Sequence, residues 1–75
     1  MSAQPFPLRG PFITLANAVK ATGGAETGGR AKMLVREGAV TVNGSVETRP
    51  GRKLVAGDRF ALAEHEWVVE TSSHE

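Results

Sequence analysis

The spacing of apolar residues changes at Gly38, and that change constrains the fold more than any other feature of the chain. Before it, Ala31, Leu34 and Val35 recur at the three- and four-residue intervals that put side chains on one face of an α-helix. After it, Val40 and Val42 alternate, and Asn43-Gly44 follows, a dipeptide whose tolerance of positive φ suits a two-residue hairpin turn. A helix that stops at a glycine and feeds straight into a hairpin calls for a helix layer packed on a sheet, because neither element buries its apolar side alone.

The other elements follow from the same reading. Thr27 is placed to cap the helix that runs to Glu37, with Gly38 at the left-handed position beyond it. Lys32 and Arg36 lie along one edge of its apolar stripe, Arg30 and Glu37 along the other, and Met33 points away from the core. Gly28 and Gly29 cost this first turn about 0.8–1 kcal/mol each relative to Ala, which points to close packing or close approach of a ligand. An earlier helix runs from Leu15 to about Thr22, capped by Thr14 and stopped by Gly23 and Gly24, with Ile13 placed to staple onto Ala18. After the hairpin, Ser45 to Thr48 reads as a return strand with Val46 inward. Residues 49–53 form a cation-rich turn, Leu54-Val55 lead to a turn at Gly57-Asp58, and strands follow around Phe60 to Leu62 and Trp67 to Glu70. The expected fold class is α+β, two short helices packed on a small antiparallel sheet of hairpins. Pro5, Pro7 and Pro11 mark residues 1–11 as a flexible leader from which Phe6 and Phe12 could dock; 12–70 form a single domain, and 71–75 a frayed tail.

Composition removes several classes of function. A chain of 75 residues buries only about 60% of the surface its unfolded form exposes, which leaves little room for a deep active site. There is no cysteine, and His65 and His74 lack partners at ligand spacing, so no metal and no cofactor is expected. No serine or cysteine has a base placed to activate it, and the chain is not expected to be an enzyme. The glycine pairs match neither a dinucleotide fingerprint nor a nucleotide P-loop, although the amides at the start of the second helix suit a single phosphate. Trp67 and Phe60 read as core residues before stacking platforms. No apolar run approaches the roughly 20 residues of a membrane helix, Pro5, Pro7 and Pro11 interrupt the weakly apolar start so that no secretory h-region is expected there, and a cytoplasmic monomer is the expectation.

Charge is distributed unevenly. Residues 30–59 hold seven of the nine Lys and Arg against three of the eight acidic residues, while the remainder holds two against five. The basic part falls into two clusters, Lys32 with Arg36 on the second helix, and Arg49, Arg52 and Lys53 in the turn after the hairpin. Arg59 is a weaker candidate because carboxylates lie near it. Arg donates paired hydrogen bonds from a planar fork and Lys supplies a mobile point charge, so a rigid helix and a loop carrying both suit a curved phosphate backbone. Aromatic residues interleaved with these cations are lacking, which argues against a platform for unpaired bases.

The run Ala31, Leu34, Val35, Gly38, Val40, Val42-Asn43-Gly44, Val46, Pro50, Lys53 to Val55 and Gly57-Asp58 resembles the RNA-binding domain first seen in ribosomal protein S-four. The resemblance covers about half of the chain directly, and the helix from Thr14 fits the same plan. It implies a compact α+β module whose two helices and adjoining strand-loop present a basic surface to structured RNA, as in ribosomal proteins, rRNA pseudouridine synthases, tyrosyl-tRNA synthetases and small ribosome-associated heat-shock proteins. With no catalytic domain alongside, the chain is similar to the small free-standing bacterial members. It departs from the family's common Ser-Arg pair at the start of the second helix: Thr27 keeps the capping role, Gly28 stands where the Arg would be, and Arg30 supplies a charge two residues later.

Residues and resemblance together lead to a non-catalytic RNA-binding module that grips phosphates of folded RNA, rRNA or the ribosome among them, with Arg30, Lys32, Arg36, Arg49, Arg52 and Lys53. An adaptor that offers the same basic face to an acidic protein is the alternative, and charge alone does not separate RNA from DNA.

Overall fold

The computed structural model describes residues 3–71. In chain order they form β1 (Gln4–Leu8), β2 (Ile13–Thr14), α1 (Leu15–Ala21), α2 (Gly28–Arg36), β3 (Val40–Val42), β4 (Ser45–Val46), β5 (Lys53–Leu54), β6 (Arg59–Leu62) and β7 (His65–Thr71).

Both helices are bounded by the residues that the chain's chemistry points to. Thr14 Oγ1 accepts from Asn17 N at 3.4 Å and Thr27 Oγ1 from Arg30 N at 3.0 Å, each satisfying an amide that has no acceptor in its own helix. Both ends close in a Schellman motif. At α2, Gly38 takes φ +82°, its amide donates to the Val35 carbonyl and the Ala39 amide to that of Leu34. At α1, Gly23 and Gly24 make the corresponding bonds to Lys20 and Val19.

The helices pack on a mixed five-stranded sheet of order β1-β7-β6-β3-β4, and β2 pairs with β5 in a separate two-stranded ladder. Asn43 (φ 53°) and Gly44 (φ 88°) make the β3–β4 turn, both with positive φ as the two-residue hairpin requires. Leu15, Ala18 and Val19 of α1 and Ala31 and Val35 of α2 bury in one cluster with Val40, Val42, Phe60 and Val69 of the sheet and Leu54 of the ladder. Each such Leu or Phe stabilises the fold by about 1.5–3 kcal/mol relative to exposure. Met33 is exposed, as the helical phase requires.

Three expectations are corrected. Residues 1–11 are not a flexible leader throughout, since Gln4–Leu8 form β1, parallel to β7, and Phe6 and Leu8 enter the core. The prolines permit this because β1 is an edge strand and Pro5 and Pro7 point outward, between the two buried side chains. Phe6 meets Phe60 edge-on, ring centroids 5.5 Å apart. The sheet is therefore mixed, not wholly antiparallel. Val46 is not inward but 62% exposed. A two-residue turn pairs Val42 with Ser45 and hence Val46 with Thr41, and the alternation that sends Val40 and Val42 inward sends Thr41 and Val46 outward. Of the tail expected to fray over 71–75, Thr71 closes β7, and the rest, with His74, lies outside the described residues.

Candidate nucleic-acid interface

The basic turn is built around an acidic residue. The Glu47 amide donates to the Val40 carbonyl at 3.0 Å, which extends the β3–β4 pairing by one residue and turns the Glu47 side chain toward the protein. Its carboxylate is only 10% exposed and receives four hydrogen bonds. Arg49 donates from its backbone N (3.0 Å) and Nε (2.9 Å) to Oε2 and from Nη2 (3.2 Å) to Oε1, and Arg52 donates from Nη1 to Oε1 at 3.0 Å. Bonds from Arg49, then Arg52, favour the ionised form and hold the Glu47 carboxyl at about 2, well below the usual carboxylate range. The same carboxylate raises the Arg49 guanidinium above its ordinary value.

The backbone of this turn is held as firmly. Arg52 N donates to the Arg49 carbonyl at 3.1 Å, while Leu15 N and Ala16 N of α1 donate to the carbonyls of Arg52 (2.8 Å) and Pro50 (3.0 Å). Those two amides lie in the first turn of α1, where no acceptor exists within the helix, so the turn caps the helix and the helix fixes the turn. Lys53 then enters β5 opposite Thr14, and its ammonium lies over the Phe12 ring, 4.7 Å from the centroid.

Arg49 is 74% and Arg52 33% exposed at the side chain, so each keeps outward N–H donors while sharing Glu47. The three charges leave the trio at a net +1. Arg30, Lys32 and Arg36 are exposed on α2 and form no ion pair among the described residues, where the two ion pairs are those of Glu47. The end of α2 that carries Arg36 abuts the hairpin: a Cβ on Gly38 would stand 3.6 Å from Val46 Cγ1, next in sequence to Glu47. Arg30 lies at the other end, in a depression lined by Gly23, Gly24, Glu26 and Thr27. Arg59, expected to pair with nearby carboxylates, makes no side-chain ion pair among the described residues. Asp58 is engaged instead with Val55 N at 2.9 Å and Asn43 Nδ2 at 3.2 Å. Glu47, and the contact of Phe12 with Lys53, escaped the sequence reading. The signal for Glu47 was its place two and five residues before arginines in a tight turn; Phe12 reaches Lys53 only through the β2–β5 pairing.

The model of the S4 domain family matches residues 6–70. The chain belongs to the S4 domain family. It is 42% identical over 55 residues to YbcJ of Escherichia coli strain K12, an alignment covering 73% of this chain and 79% of that protein, and the uncharacterized protein YbcJ of Shigella flexneri matches equally. The solution structure of E. coli YbcJ, described as revealing an alfaL motif involved in RNA binding, superimposes with a TM-score of 0.69 at 36% identity, covering 95% of this chain and 91% of that one. This S4 domain is thus an α+β fold like that of YbcJ, and among its described residues no helix is long and apolar enough to cross a membrane.

Proposed function

We propose that this S4 domain binds structured RNA without catalysing a reaction, gripping the phosphate backbone with Arg49, Arg52 and Lys53 of the turn and Arg30, Lys32 and Arg36 of α2. The observation that carries the reading is the Glu47 carboxylate bridging two guanidiniums, 2.9 and 3.0 Å away, in a turn that caps α1. An arrangement of this kind sets the remaining donors of both forks at a fixed spacing, which favours an acceptor with its own fixed spacing, such as the successive phosphates of a folded strand. Membership of the S4 domain family and likeness to YbcJ support RNA as the polymer. Ribosomal RNA in the bacterial cytoplasm is the target we favour, contacted by a monomer.

Engagement of about four to six phosphates gives a log–log slope of affinity against salt of about −3 to −5. The test compares the wild type with a folded Arg49→Glu, Arg52→Glu, Lys53→Glu triple variant on a structured rRNA fragment, matched single-stranded RNA and duplex DNA at two salt concentrations. Preference of the wild type for structured RNA, lost in the variant, supports the proposal. Binding to none of the three at low salt overturns it and turns attention to an acidic protein partner.

A further inference from the structure

Gly23 and Gly24, which follow α1, floor two adjoining depressions. One is walled by Trp67, His65, Gln4 and Thr22; the other, by Thr27, Glu26 and Arg30. The first exists because the sheet outruns the helices. His65 and Trp67 project on the same side of β7 as the buried Val69, yet α1 ends at Ala21 and only the glycine linker continues over the sheet. That linker lies tight on Leu62, where a Cβ on Gly24 would come within 2.6 Å of Leu62 Cδ2. Trp67 is left half-buried, stacked on Phe60 at 5.2 Å and 19°, with the exposed His65 ring 6.0 Å away and tilted by 35°. At Gly23, which lines both depressions and so marks the passage from one to the other, a Cβ would meet nothing within 4 Å.

We infer that this groove takes one unpaired nucleotide of the bound RNA, its base against Trp67 and His65 and its phosphate toward Arg30. The inference rests on the RNA-binding reading above and adds a second kind of contact to it. Each part of a nucleotide has a counterpart in the groove. Trp67 and His65 supply aromatic surface for stacking, the Gln4 amide and the His65 imidazole supply donors and acceptors for a base edge, and Arg30 supplies a cation without an ion pair among the described residues. Glu26 in the same wall disfavours an isolated anion, so a phosphate is held there only when the stacked base brings it. A paired base has no exposed face to offer, and the groove therefore discriminates bulged or looped RNA from uninterrupted duplex.

Trp67 is the single tryptophan and there is no tyrosine, so intrinsic emission reports on this groove alone. The experiment titrates the full chain with two RNA hairpins that differ by one bulged nucleotide. The expected result is tighter binding of the bulged hairpin by about 5- to 150-fold, the range that base–aromatic stacking supports, with a change in Trp67 emission that the paired hairpin does not produce. Gly23→Asn keeps a residue that tolerates positive φ and puts a side chain into the passage; it should abolish the preference and leave binding of the paired hairpin unchanged. His65→Ala, at an exposed position, should reduce the same preference. Equal affinity for both hairpins with unaltered emission overturns the inference while leaving the phosphate-gripping surface standing. Binding of neither hairpin at low salt overturns both.

Discussion

The turn 49–53 and the exposed side of α2 each carry three cations on different supports. In the turn, one carboxylate bridges two guanidiniums and α1 holds the backbone, so much of the about 1.5–2 kcal/mol of side-chain entropy that an ordered Arg forfeits is already lost on folding. On α2, Arg30, Lys32 and Arg36 extend from a helix with no ion pair among the described residues, and lose that freedom only on meeting a ligand. The turn has also given up charge, since Glu47 cancels one of its three cations. On the RNA-binding function proposed above, the difference divides the work of the basic surface: the turn would contribute geometry at the expense of field strength, and the helix field strength at the expense of geometry.

The comparison breaks most completely if the seat of the turn is removed. Leu54 is fully buried behind Lys53, and Leu54→Ala is expected to cost about 2–5 kcal/mol of stability in urea unfolding. A loss below about 1 kcal/mol would mean that the turn stands without its seat. Next in size is the contrast in salt dependence. Lys32→Ala with Arg36→Ala should make the log–log slope of RNA binding shallower by about 1.4–1.8, two phosphate contacts' worth. Glu47→Gln should instead steepen the slope by restoring charge while weakening binding at high salt, where geometry dominates. If both variants shift the slope in the same direction, the division of work proposed here is wrong.

A smaller effect is expected at the helix start. Thr27→Ala removes the oxygen 3.0 Å from Arg30 N and should lower stability by about 1 kcal/mol, with little change in the salt slope because no charge is altered. The finest test is of pH. Because the Glu47 carboxyl sits at about 2 in the fold against an ordinary 4.5, its contribution to stability is fully present above about 4.5 and is lost as pH falls through about 2. Thermal melting of the wild type should therefore decline across that window, and the gap to Glu47→Gln should close over the same range. A gap that stays constant would show that the bridge does not stabilise the fold.

The sequence by itself determined the elements whose causes are local. Thr14 and Thr27 as caps, Gly38 as the left-handed helix end, Asn43-Gly44 as the hairpin turn and the stripe of Ala31 and Val35 all depend on interactions within a few residues, which spacing alone reveals. The S-four-like run and the two basic clusters were legible for the same reason, because they are contiguous. Tertiary structure alone decided the rest. Phe6 and Leu8 became a strand only because β7 offered a free edge more than fifty residues away in sequence, a pairing that no local propensity in a proline-rich stretch announces. Val46 and Glu47 exchanged inward and outward places because the two-residue turn sets the register, and an error of one residue inverts every side chain that follows. Glu47 between Arg49 and Arg52, and Phe12 beneath Lys53, depend on where the fold closes. Charge can be counted along a chain; which charges are shared, and which aromatic lies beside them, is decided by the packing that brings separated segments together.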